Sequence, residues 1–92
     1  MNRAELRSAA DREQIRRGAY CLEGGLPPQQ YVLSIENGGW CVYYSERGLK
    51  TEPEWFETED EACDYLFQAL VRDPTTRVRS PDVRGREPLS PQ

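Results

Sequence analysis

Between Tyr31 and Glu46, apolar and polar positions alternate twice, with an Asn-Gly-Gly run between the two stretches. Tyr31, Leu33 and Ile35 alternate with Val32, Ser34 and Glu36; Trp40, Val42 and Tyr44 alternate with Cys41, Tyr43 and Ser45. Successive side chains of a strand point to opposite faces, so this period predicts two strands, each with one strongly apolar face. Asn37-Gly38-Gly39 supplies residues that tolerate positive φ, as two-residue hairpin turns require. With Asn37-Gly38 as the turn, Ile35 lies opposite Trp40 and Leu33 opposite Val42. With Gly38-Gly39, Ile35 lies opposite Val42 and Leu33 opposite Tyr44. Both registers keep the apolar sets on one face. A three-residue loop would set Ile35 against Cys41 and split them, and is disfavoured. Trp40, on the apolar face directly after the turn, is expected in the core.

The spacing becomes helical on either side. Thr58-Glu59-Asp60-Glu61 matches a capping box, with Thr58 as N-cap and Glu61 at N3. Beyond it Ala62, Cys63, Leu66, Ala69 and Leu70 fall on one face, with Arg72 in the last turn and Pro74 as a stop. Residues 3–17 read as a second helix that packs loosely or frays, because its apolar stripe of Leu6, Ala9 and Ala10 is thin. Asn2 caps its start and Gly18 marks its end. Ala19 to Leu22 is a short candidate strand before Gly24-Gly25 and an extended Leu26-Pro27-Pro28 connection. After the Arg47-Gly48 turn, residues 50–57 can form a further strand. Pro53 donates no hydrogen bond, so that strand lies at an edge or starts after the proline. Adjacent Trp55 and Phe56 then point to opposite faces, and one of them enters the core. The expected fold is α+β: a small antiparallel sheet of three to four strands packed against the C-terminal helix, with the N-terminal helix beside it. Residues 1–73 form the domain, and 74–92, rich in Pro and Arg with scattered Val78, Val83 and Leu89, form a disordered tail.

Size and charge narrow the function classes. A chain of 92 residues is one domain at most, with a marginal core that a partner or self-association would help stabilise. No apolar run approaches the ~18 residues of a membrane span. The N-terminus does not read as a secretory signal, so a cytoplasmic location is expected. The cysteines Cys21, Cys41 and Cys63 are odd in number and widely spaced, and histidine is absent. They therefore read as small apolar residues and not as a disulfide framework, a zinc site or a redox pair. The net charge of −4 is uneven: residues 46–71 carry eight acids against Arg47 and Lys50, whereas both ends are net basic. An acidic patch repels nucleic acid and attracts basic partners.

Catalytic and cofactor chemistry finds no constellation. Without histidine the usual general base near neutral pH is missing. Neither glycine pair has the spacing of a phosphate loop. Ser34, Ser45 and Cys41 have no base that spacing identifies. Carboxylate pairs such as Glu52 and Glu54 read as solvated acids. The chain is therefore read as no enzyme, with no cofactor, and the acidic middle gives no positive groove for nucleic acid. A protein-binding surface remains. Its candidate residues are Tyr43 on the outward hairpin face and Glu46, Glu52, Glu54, Trp55, Glu57, Asp60 and Asp64 beside it, aromatic anchors with a charged rim. The competing reading covers Tyr43 with the N-terminal helix and leaves the acids to solvate the protein.

The succession of short strand, Gly-rich turn, YVLSIENGGWCVYYSERG, aromatic-acidic stretch and TEDEACDYLFQAL helix resembles small bacterial immunity proteins of polymorphic or contact-dependent toxin systems. The resemblance spans about residues 18–72 and rests on GGWCVYYSERG and the acidic helix after it. It implies a cytoplasmic inhibitor that binds a cognate toxin domain, often a nuclease. A nuclease must attract phosphate, so an acidic inhibitor would complement its surface and speed association. The alternative is a small structural or adaptor module, with a homodimer formed through exposed strand edges.

Overall fold

In the computed structural model, which describes residues 1–78, the chain begins with α1 (Arg3–Arg12) and a 3-10 turn at Arg17–Ala19. Four strands follow: β1 (Tyr20–Cys21), β2 (Gln30–Glu36), β3 (Gly39–Glu46) and β4 (Leu49–Phe56). A second helix, α2 (Glu59–Arg72), leads to a 3-10 turn at Pro74–Thr76. The strands form one sheet in the order β1-β2-β3-β4, so the fold is α+β.

Asn37 and Gly38 settle the hairpin register. Both adopt left-handed backbone, with φ of 53° and 77°, as the two central residues of a type I′ turn do. Ile35 accordingly pairs with Trp40 and Leu33 with Val42. Arg47 and Gly48 repeat the device, with φ of 55° and 78°, between β3 and β4. β4 is an edge strand, as Pro53 requires, but it begins before the proline. A bulge absorbs the proline: Val42 pairs with Glu54 and Tyr44 with Thr51, which leaves Glu52 and Pro53 opposite Tyr43. One strand departs from the antiparallel expectation. β1 runs parallel to β2, Tyr20 beside Tyr31 and Cys21 beside Val32. The connection at 22–29 is too long for a hairpin and doubles back over the sheet.

α2 forms where its stripe and cap place it. The Thr58 hydroxyl accepts the Glu61 N–H at 3.1 Å. Ala62, Cys63, Leu66 and Leu70 are buried against Leu33 and Val42. α1 packs on α2 with Leu6, Ala9 and Ala10 buried, so it is held more firmly than its thin stripe suggested. Asn2 caps it, accepting the Glu5 N–H at 2.8 Å while Glu5 returns to the Asn2 N–H at 2.9 Å. The helix stops at Arg12 and not near Gly18. Gln14 turns left-handed at φ 61°, Gln14 N–H donates to Asp11 O and Ile15 N–H donates to Ala10 O. This pairing is a Schellman motif with glutamine where glycine usually stands, and it buries Ile15 in the core.

Both faces of the sheet are covered at its centre. On the side away from α2, Val32, Cys41 and Tyr43 form a second buried cluster with Cys21. The 22–29 loop lies on it: Gly24 N–H donates to Leu33 O at 3.0 Å and Tyr43 OH donates to Gly25 O at 2.6 Å. Gly24 is required there. Its φ is +73°, and a Cβ would stand 3.1 Å from Ser34 Oγ. Of two residues expected on the core face, Ile35 lies outside the core and Trp40 packs against its rim. Ile35 is 58% exposed and Trp40 is only half-buried, because burial falls off toward the 37–38 turn. Phe56 packs against the core and Trp55 faces solvent, which resolves that pair.

The expected domain boundary at residue 73 moves outward. Thr76 is buried, its hydroxyl 2.8 Å from the carbonyl oxygens of both Leu70 and Asp73. Arg77 bridges to Ile15, Arg16 N–H donates to Thr76 O, and Val78 N–H donates to Gln14 O. The remainder of the expected tail, 79–92, lies outside the described residues. A chain ending at Asp73 is expected to melt roughly 5–10 °C below one ending at Val78, because these bonds together contribute on the order of 1–2 kcal/mol. Equal melting temperatures by circular dichroism would show that 74–78 stabilise nothing.

Candidate interaction surface

β4 is paired on one side only, and every residue from Leu49 to Trp55 is exposed. Alternation along it divides the candidate residues between two faces. Glu54, opposite Val42, stands on the α2 side, whereas Trp55, opposite Cys41, stands on the loop side and is 53% exposed. Glu57 follows the strand, and Glu46 lies at its other end, opposite Leu49. At about 3.3 Å per residue the two ends of β4 are some 20–25 Å apart. Glu52, Glu54, Trp55 and Glu57 therefore lie along this edge toward Phe56, with Trp55 on the opposite face from Glu54, and Glu46 sits apart. None of these four acids has an ion-pair partner among the described residues.

Three of the expected contact residues are placed otherwise. Tyr43 is 2% exposed and offers no partner an anchor. The 22–29 loop covers it, not the N-terminal helix, and Lys50 Nζ stands 4.9 Å from its ring centroid. Lys50 also binds Glu36 at 2.8 Å, and its ammonium, with the Ser34 hydroxyl, holds the Glu36 carboxyl below the usual range. Asp60 and Asp64 are exposed, but the Met1 ammonium bonds to Asp60 and approaches Asp64 at 3.2 Å. Those bonds raise the ammonium pKa to about 10. Arg3 likewise holds Glu59 at 3.3 Å while its guanidinium stands 5.4 Å over the Trp40 ring. The first turn of α2 is thus partly neutralised by the start of α1. No local pattern signals these contacts, which join residues more than fifty positions apart.

Sequence reasoning also missed a cleft between the β4 bulge and the end of α2. It is a shallow, open depression of about 410 Å³ lined by Tyr31, Glu52, Tyr65, Ala69, Arg72, Asp73 and Pro74. A narrower recess of about 60 Å³ shares four of those residues and reaches Tyr44 and Thr51. Tyr31 and Tyr44 meet edge to face at 4.9 Å. Tyr31 OH donates to Asp73 Oδ2 at 2.9 Å. Thr75 donates to Asp73 Oδ1 from its N–H and its hydroxyl, and these bonds hold the Asp73 carboxyl below its ordinary range. Glu52, left-handed at the bulge with φ 53°, lines this cleft. Among the described residues no group of side chains is placed to hold a metal ion.

Burial, and secondarily the Asp73 carboxylate, pushes the Tyr31 phenol from 10 up to about 12. A folded-state pKa above the unfolded one favours the fold in the neutral form. That stability is complete below pH 10 and is lost as pH rises toward about 12. Burial raises Tyr20 and Tyr43 in the same direction. Denaturant melts at pH 8 and pH 11 are expected to show a smaller alkaline loss for Tyr31→Phe than for the parent. An identical loss would mean that Tyr31 ionises freely in the fold.

No family model, curated protein or solved structure matches this chain. No helix among the described residues is long and apolar enough to cross a membrane.

Proposed function

We propose that the chain is an immunity-type inhibitor: a cytoplasmic protein without catalytic activity that binds a cognate bacterial toxin domain one to one. The β4 edge carries the reading: Trp55 is exposed on it, next to Glu52, Glu54 and Glu57, which have no ion-pair partner among the described residues. A tryptophan within a charged rim is the usual anatomy of a binding hot spot. The surplus negative charge favours a basic partner such as a nuclease domain. The test is co-expression with the C-terminal domain of the protein encoded by the neighbouring gene, scored where that domain is toxic on its own. Rescue of growth together with one-to-one co-purification is the expected result. Unrelieved toxicity with soluble, unbound protein would refute the reading.

Self-association through β4 is the second reading, favoured by two exposed apolar side chains near the two ends of the strand, Leu49 and Trp55. The same edge carries devices that discourage it. Pro53 and the bulge break the ladder, and the glutamates of two copies would repel. Light scattering is expected to show a monomer, and a stable dimer would revive the adaptor reading.

A further inference from the structure

The cleft at the β4 bulge is a side-chain pocket that the β4 edge alone does not explain. Because the bulge and Pro53 interrupt the edge ladder, a partner strand cannot pair along β4 without a break. Recognition there must run through side chains. Glu52, left-handed at the bulge, lines the cleft. Tyr31 and Tyr65 line the cleft, together with Asp73, which Tyr31 and Thr75 already orient. Among the described residues Arg72 is the single cation lining the cleft, set against two carboxylates.

We propose that this cleft is an anchor site for an arginine side chain presented by a protein partner. The proposal rests on the basic-partner reading above and specifies where that partner is gripped. A guanidinium stacks on aromatic side chains and pairs with a carboxylate in one plane, so a lining of Tyr31, Tyr65 and Glu52 suits it on both counts. An aliphatic side chain would leave Glu52 unused, and an anionic one would meet two carboxylates.

The probe is the peptide acetyl-Gly-Arg-Gly-amide, titrated at low salt into the full chain and followed by two-dimensional NMR. Its neutral counterpart carries citrulline in place of arginine. Saturable shifts are expected at Glu52, Tyr65 and Ala69 with the arginine peptide and not with citrulline. Glu52→Gln, which keeps the shape of the side chain, is expected to weaken binding about fivefold. Arg72→Ala removes the competing cation and is expected to tighten binding about two- to fivefold. Equal shifts from both peptides, unchanged affinity in Glu52→Gln, or weaker binding in Arg72→Ala would each overturn the assignment. The two readings also separate. If the arginine peptide fills the cleft but no toxin domain is neutralised, the cleft stands and the inhibitor reading falls. If a toxin domain binds the Glu52→Gln variant as tightly as the parent, the cleft falls alone.

Discussion

Leu66→Ala is expected to lower the melting temperature by roughly 10–25 °C, the largest stability effect of any single substitution considered. Leu66 is fully buried in the middle of α2, on the face that meets Leu33 and Val42. Truncating a buried leucine costs about 2–5 kcal/mol, partly from lost transfer free energy and partly from the cavity that remains. For a domain of this size each kcal/mol moves the midpoint by about 4–8 °C. Total stability in small domains is of the order of 5 kcal/mol, so a partly unfolded population at 37 °C is expected. Trp40→Ala makes the useful contrast. Trp40 is only half-buried and stacks beneath Arg3, so its loss is expected to cost less than that of Leu66 despite the larger side chain. Thermal circular dichroism on both variants checks the order. A larger loss at Trp40 would mean that the helix–sheet contact is not the centre of the fold.

The second large effect is on binding. Under the proposed inhibitor reading, a triple variant, Trp55→Ala with Glu54→Lys and Glu57→Lys, is expected to fold as the parent does and to lose at least about 100-fold in affinity for the proposed toxin partner. All three side chains are exposed, and none of the three forms an ion pair among the described residues. Truncating a hot-spot tryptophan costs about 2 kcal/mol or more, close to 30-fold. The two reversals act mainly on association, roughly tenfold at low ionic strength and less as salt rises. Asp60 and Asp64 are left untouched, because they bind the Met1 ammonium and their reversal would disturb the α1–α2 contact as well. Surface plasmon resonance at two salt concentrations separates the rate effects. A folded triple variant that still protects cells fully would reject the β4 surface and leave the toxin contact elsewhere on the molecule.

Much of the fold was legible along the chain because its determinants are local. The alternation in 31–46, the capping residues Asn2 and Thr58, the stripe of α2 and the edge position enforced by Pro53 each depend on a few neighbouring residues and on backbone stereochemistry. The hairpin register needed one further fact. Asn37-Gly38 and Gly38-Gly39 both preserve the apolar face, and only the left-handed backbone of Asn37 shows which pair forms the turn. What tertiary structure decided is everything that joins distant segments. β1 lies parallel because the 22–29 loop finds its cover on the sheet, and that loop, unreadable as a packing element, is what buries Tyr43. α1 ends early because burial of Ile15 favours a left-handed glutamine that propensity would not choose. Residues 74–78 dock because Thr76 closes open carbonyls at the end of α2, a role invisible in a segment with few apolar residues. The candidate site follows the same division. Glu52, Glu54 and Trp55 share a strand, with Glu57 directly after it, and are neighbours by sequence alone, whereas the tyrosine cleft exists only because a bulge, a strand and the end of a helix meet there.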